Sequence, residues 1–351
     1  MANRLPRFPS LQKKRKGRML APSSILRRPT SRAGGGRFRE PLVDKAYDAI
    51  AEGSKSFAAA SMLFDRTTRE RVWLLYAWCR RCDDIADGQT AGGELGDQSG
   101  LEGRVRAIRA LTRTALEGQP TADPGFDAFG QVASETGLTL EDADEVIAGF
   151  ELDAEGWRPR TEADLMRYCY HVAGAVGTMM ARVMGVDPAD EDTLDRACDL
   201  GLAFQLANIV RDFDEDDAAG RCYIPAEWLV EEDIPPGQHM KPPYRFKMAK
   251  LSARMVRLME RHEAAAKLGA ARLSFRQRWA VLSAARIYGA IGRKVRDRGQ
   301  LAWNSRVHTG RAAKAGHVAA AFWEALRNNP TRPDEMPRWT RRELAAMGKP
   351  S

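Results

Sequence analysis

The chain has 351 residues, is 44% hydrophobic and carries a net charge of +8. Length alone allows two average domains or one large one, but no run approaches the ~20 apolar residues that span a bilayer. The charge is lopsided: residues 1–40 hold twelve Lys and Arg against one acid, Glu40, a net of +11 that leaves −3 for residues 41–351, which excludes a basic folded body.

The basic stretch contains Pro6, Pro9, Pro22, Pro29 and Gly34 to Gly36 without helical period, so residues 1–40 read as a disordered leader. Three readings of it stay open: an arm touching anionic lipid or nucleic acid, an import signal, or a start placed too early, with Met19 or a later position as the real beginning. From residue 41 on, Ala, Leu, Arg, Glu and Met dominate and no segment sustains an alternation of β-branched residues, so the fold class is all-α. Helices are expected at about 41–61, 67–90, 102–117, 141–152, 162–185, 190–217, 245–268 and 276–298, with a weaker one at 311–327. A helical body over 41–310 and a C-terminal helix with a loose tail over 311–351 follow, the tail being marked by Pro330, Pro333 and Pro337. Five cysteines, an odd number without an apolar secretory leader, point to a reducing, cytoplasmic compartment. Cys79 and Cys82 have CxxC spacing but sit inside a helical pattern, and read as small helix residues. The longest apolar stretch, Val172 to Val186, is interrupted by Arg182, so any membrane contact is peripheral.

Two segments carry chemistry. In Tyr76 to Asp87, advancing about 100° per residue puts Arg80, Asp83 and Asp87 within about 40° of Tyr76, on one stripe of the helix. Asp83 and Asp87 are then roughly 6 Å apart along the axis, a spacing at which two carboxylates hold hard cations. In Gln205 to Asp217 the same construction groups Asn208, Asp212 and Asp216 and sends Asp214 about 180° away, toward water. Either face alone would pass for an ordinary solvated acidic surface. Apolar Ile85, Leu206, Ile209, Val210 and Phe213 crowd both helices, however, and enclosed like charges need a cation or a proton.

Magnesium favours a few carboxylates completed by phosphate oxygens. Two acid faces with Arg80 and Arg211 beside them therefore suit a diphosphate leaving group, whose charge metal and arginines neutralise as the carbon–oxygen bond ionises. The carbocation left behind needs dry apolar walls and aromatic faces, which Phe57, Tyr76, Tyr168 and Tyr288 can supply.

These residues, together with Ser54 to Phe57, Tyr168 to Gly177 and Gly220 to Pro225, give the chain its resemblance to the squalene and phytoene synthase family, in particular to its bacterial and plant phytoene-forming members. The likeness runs from about Ala46 to Arg306. It implies a class I isoprenoid synthase fold, a helical bundle around a central active-site cavity. It also implies head-to-head condensation of two geranylgeranyl diphosphates, through a cyclopropylcarbinyl diphosphate, to phytoene in carotenoid biosynthesis. Residue by residue, it implies Mg2+, with Mn2+ as a substitute, on Asp83, Asp87, Asn208, Asp212 and Asp216. It further implies substrate contacts from Ser54, Ser56, Phe57, Tyr76, Arg80, Tyr168, Gln205, Arg211, Tyr288 and, at the far end of the match, Arg306. Peripheral contact with a membrane surface and with other carotenoid-pathway enzymes is part of the same expectation. NADPH is not expected, because no strand-associated glycine fingerprint is present.

Two departures stand out: Gly289 and Ala290 follow Tyr288 where bulkier residues are expected, and the leader has no family counterpart. The competing readings are a relative that makes a C30 product or stops at presqualene diphosphate, and a non-enzymatic protein that grips nucleic acid through Lys13 to Arg18. The last predicts that deleting residues 1–40 abolishes function. Under the enzyme reading no specific nucleic acid is expected and turnover survives that deletion.

Overall fold

The computed structural model describes residues 38–88 and 100–347, the side chains of Lys55 and Ser56 excepted, so the leader lies outside the described residues apart from its last three. Helix follows helix, and no β-strand occurs among the described residues. The first group is α1 (Arg39–Gly53), α2 (Lys55–Ser61), α3 (Arg66–Ala86), α4 (Leu101–Leu116), α5 (Pro124–Thr136) and α6 (Leu140–Ala154). Next come α7 (Glu162–Cys169), a π turn (Tyr170–Gly174), α8 (Ala175–Val183), α9 (Glu191–Arg211), α10 (Phe213–Ala218) and α11 (Ala226–Glu231). The chain ends with α12 (Arg245–Ala270), α13 (Phe275–Arg298), α14 (Arg311–Arg327) and α15 (Arg341–Ala346).

Local chemistry sets many of the boundaries. Asp65 and Asp190 accept from backbone N–H groups at the starts of α3 and α9, and Thr139 and Thr161 form reciprocal capping boxes at α6 and α7. Helix α5 was not expected from sequence. It has an Asp123 cap, Pro124 in its first turn and Gly137 just past its end, and it buries Phe126, Phe129 and Val132 completely. A Cβ on its Gly130 would lie 2.5 Å from the Ala115 carbonyl oxygen, so this glycine is a point of close packing on α4.

Helix α9 is the axis of the bundle, with α8, the π turn, α12 and α13 all against it. The crossing with α8 is very tight. A Cβ on Gly201 would sit 2.2 Å from the Ala173 carbonyl oxygen, and one on Gly177 would sit 2.4 Å from that of Ala197. Ala173, Gly177 and Gly201 also border a cavity, so the same small residues serve close packing and open space. Backbone cannot retreat as a side-chain tip can. Gly201→Ala is therefore expected to destabilise the fold by about 2–3 kcal/mol through overpacking, whereas Gly103→Ala, on an exposed part of α4 with open space around it, should stabilise by about 0.5–1 kcal/mol. Urea unfolding midpoints of the two variants check both signs.

Two further expectations are corrected. The helix expected over 190–217 breaks at Asp212, with α10 beginning at Phe213. The Trp303 indole N–H donates to the Val210 carbonyl (2.8 Å) and its ring stacks on Phe213, 5.5 Å away, which pins the break. Helical phase survives it, because the Asp212 N–H donates to Asn208 (2.9 Å) and the Asp216 N–H to Asp212 (2.8 Å). Within the tail, α15 is seated rather than loose: Leu344 is fully buried, and Arg341 pairs with Glu191 and with Asp195 (3.4 Å) on α9. All five cysteines are free thiols, and burial pushes those of Cys79 and Cys82 upward, as expected for helix residues rather than a redox pair.

Candidate active site

A cavity of about 930 Å³ runs between α3, α6, the α7–α8 segment, α9 and α13. Asp83 and Asp87 reach it from the end of α3, and Asn208, Asp212 and Asp216 from the α9–α10 junction. Ser54, Phe57, Tyr76, Arg80, Tyr168, Gln205, Arg211, Tyr288 and Arg306 line the same space. Of the residues singled out in the sequence, only the Ser56 side chain lies outside the described residues. Asp214 is absent from the lining; it is half-exposed and pairs with Arg245 at 3.2 Å.

The acids fall into two electrostatic states. Asp212 is clamped by arginine: Arg211 donates to both its oxygens, with Nε at 2.7 Å from Oδ1, and Arg306 approaches Oδ1 at 2.9 Å. The carboxylates of Asp83 and Asp216 have no hydrogen-bonding or ion-pair partner among the described residues. Burial in the cavity wall pushes Asp83 up to about 7, Arg80 opposing and Asp87, Asp84 and Asp153 adding. Asp216 is likewise raised to about 7 by burial and by Asp212, against the pull of Arg221. Arg80 does not bridge Asp83; its guanidinium pairs with Asp84 on the next turn at 3.0 Å.

A link between the faces comes from residues that sequence reasoning did not nominate. Asp153, near the end of α6, accepts hydrogen bonds from Tyr168 (3.2 Å) and Tyr223 (3.0 Å), whose rings stack 4.6 Å apart. Burial raises the pKa of Asp153, with Arg221 opposing. Arg221 also reaches Asp87, 3.5 Å away, so one guanidinium serves acids from α3, α6 and α10. Asp153 has no acidic neighbour at helical spacing in the cavity wall, and thus no pattern to betray it. Gly53 also escaped notice: a Cβ there would lie 2.6 Å from the Tyr76 hydroxyl, so the glycine lets α1 end against that ring. Burial then pushes the Tyr76 phenol up to about 12.

Among the described residues no group of three or more His, Cys, Asp or Glu closes tightly enough to hold a cation alone. The donor set still fits a divalent metal of the magnesium type. Two carboxylates without a partner among the described residues, raised to about 7 by burial, would gain counter-charge from such an ion, with phosphate oxygens completing its shell. Beyond the acids the cavity turns apolar: Val172, Val176, Met180 and Met184 follow one another at four-residue spacing along one wall. Two aromatic pairs flank the junction, Phe57 with Tyr76 (5.6 Å) and Phe204 stacked on Tyr288 (4.3 Å).

Comparison with known proteins places the chain in a family. The chain is 44% identical over 294 residues to a phytoene synthase of Pseudescherichia vulneris, covering 83% of this chain and 94% of that one. It is 42% identical over 307 residues to a 15-cis-phytoene synthase of Pantoea ananas, covering 86% and 98%. Among solved structures, a dehydrosqualene synthase in complex with ligand superposes with a TM-score of 0.72 at 24% identity, over 83% of this chain and 98% of that one. A squalene synthase from Alicyclobacillus acidocaldarius gives 0.64 at 21% identity, over 74% and 95%. With residues 50–313 matching the squalene/phytoene synthase family as a whole, the chain belongs to that family and has its all-helical isoprenoid synthase fold.

Proposed function

We propose that the protein is a prenyltransferase that joins two geranylgeranyl diphosphates head to head into phytoene, releasing both diphosphates. The observation that carries this reading is a single cavity with two charged faces at one end and a long apolar wall beyond them. Asp83, Asp87, Asn208, Asp212 and Asp216 would hold Mg2+, which supplies counter-charge to the departing diphosphate. Arg80, Arg211 and Arg221 bind and orient the same anion.

The chain's own groups do the remaining work. In the first half-reaction the C1–O bond of one substrate breaks, and its electron pair leaves with the diphosphate. The allylic cation is taken up by the C2–C3 double bond of the second substrate, and loss of a proton closes the cyclopropane ring. In the second half-reaction the remaining diphosphate leaves, the ring opens and rearranges, and a second proton is lost to give the central double bond of phytoene. The Phe57–Tyr76 and Phe204–Tyr288 rings present π faces to these cations, and the apolar wall excludes water that would otherwise quench them. The product is a hydrocarbon, and no described helix is long and apolar enough to cross a membrane. Contact with lipid is therefore peripheral.

Purified protein given geranylgeranyl diphosphate and Mg2+ should release two diphosphates per molecule of C40 hydrocarbon. With farnesyl diphosphate it should be much slower, and a reversed preference would assign the C30 reaction instead. A folded protein that frees diphosphate from neither substrate ends the proposal.

A further inference from the structure

Outside the cavity the most unusual surface is α14. Between Arg311 and Arg327 its exposed residues are Ala312, Ala313, Ala315, Gly316, Ala319, Trp323 and Leu326, without one charge. Trp323 is 58% exposed and Leu326 56%, whereas exposed helix faces are ordinarily polar. The inner side of the helix is firmly seated. Trp279 donates to the Val318 carbonyl at 2.9 Å, Phe322 packs edge-on against Phe275 and Trp279, and Ala321 and Ala325 are fully buried. The one acid of α14, Glu324, is held by Lys267 (3.0 Å) and Arg286 (2.6 Å). The outward face is thus an apolar stripe with Arg311 and Arg327 at its two ends, while Lys314 lies on the inner side of the helix.

Beside it lies a groove of about 630 Å³ between α2, α13 and α14, walled by Leu63, Trp279, Val318, Phe322 and Trp323. Ala60, Ile287 and Lys314 line both this groove and the catalytic cavity, so the two spaces are neighbours across those side chains. We propose that this groove carries the product's hydrocarbon chain out of the cavity and into an anionic lipid bilayer on which the outward face of α14 rests. The proposal rests on the reading that the cavity's product is a long hydrocarbon. Such a molecule has no favourable path through water, and the groove lies between the cavity and the outward apolar face of α14. Tryptophan and leucine suit the interfacial zone, and cations bordering an apolar stripe suit anionic headgroups.

The test has two arms, both on the full-length protein. In the first, vesicles of phosphatidylglycerol and phosphatidylcholine with brominated acyl chains are mixed with wild type, Trp323→Phe, and the double variant Trp323→Glu/Leu326→Glu. Wild type should bind and show quenched tryptophan emission, Trp323→Phe should lose most of the quenching, and the double variant should bind at least tenfold more weakly. Equal binding by wild type and double variant overturns the proposal, as does a wild-type dimer in solution that the double variant dissolves. In the second arm, Ala319→Trp fills the groove from an exposed position. Diphosphate release in the first turnover should be unchanged, while steady-state turnover with vesicles falls about tenfold and recovers in non-ionic detergent. An unaltered steady state overturns the proposal. A wild type that releases no diphosphate at all would defeat the functional reading instead, while the vesicle arm still decides whether α14 meets lipid.

Discussion

Asp83→Asn and Asp216→Asn should each lower diphosphate release by about a thousandfold, the scale expected when a group aimed at charge developing in the transition state is lost. Both carboxylates line the cavity without a partner among the described residues, and burial holds both near 7, so a bound cation is what would keep them ionised. Asparagine keeps the shape and removes the charge. Because each aspartate is raised by its surroundings, its ionised form weakens the metal-free fold, and the asparagine variants should melt no lower than wild type at pH 8 without metal. Asp214→Asn is the control. Asp214 is half-exposed, outside the cavity and paired with Arg245 at 3.2 Å, and an exposed pair of this kind is worth roughly 0–1 kcal/mol, so turnover should change less than about twofold. Steady-state diphosphate release for the three variants, with thermal melts beside it, decides the matter. Equal losses at all three positions would mean that the acids have been sorted wrongly.

The second large effect is a steep pH dependence of metal binding. The ordinary value for an aspartate is 3.8, and Asp83 and Asp216 are raised to about 7. Between those limits the metal-free folded state holds protons that the unfolded chain has released. By linkage its stability falls as pH rises from about 4 to 7, the reverse of the usual acidic-residue effect. A cation must displace those protons, so Mg2+ affinity should climb up to about tenfold per pH unit for each carboxyl and level off above pH 7. Calorimetric titrations in buffers of different ionisation enthalpy should record proton release on Mg2+ binding at pH 6 and almost none at pH 8.5. The rise in melting temperature given by Mg2+ should be larger at the higher pH. An affinity that is flat from pH 5.5 to 8.5 would remove these two carboxylates from the metal site.

What the sequence made legible was local. Spacing at i and i+4 needs only a helix, so the grouping of Asp83 with Asp87, and of Asn208 with Asp212 and Asp216, could be read before any fold was known. The sidedness of Asp214 followed from the same geometry, even though the helix is interrupted at Asp212. Partners brought from far along the chain could not be read. Arg80 turns to Asp84 rather than Asp83, and Asp153 becomes central only when Tyr168 and Tyr223 fold over it. Gly289 has a similar explanation: a Cβ there would lie 2.2 Å from Glu263 Oε2, in the half-buried Arg293–Glu263 pair (2.7 Å), so the small residue makes room for an ion pair beside Tyr288. Helix α5 was hidden because Gly125 and Gly130 dilute its apolar period while serving close packing.

The π turn has a consequence for substrate length. Tyr168, Val172, Val176, Met180 and Met184 line the cavity at a constant interval of four residues. On a regular helix that interval drifts by ~40° at each step, ~160° in all, and would carry Met184 to the opposite side of the helix from Tyr168. The single turn over Tyr170–Gly174 holds one extra residue and returns about 100° of that drift. On the proposed function the segment would be a ruler laid along the substrate, with one side chain every four residues, roughly 6 Å apart. Regular winding would leave the zero mark at Tyr168 in place and turn the far graduations away from the chain they measure.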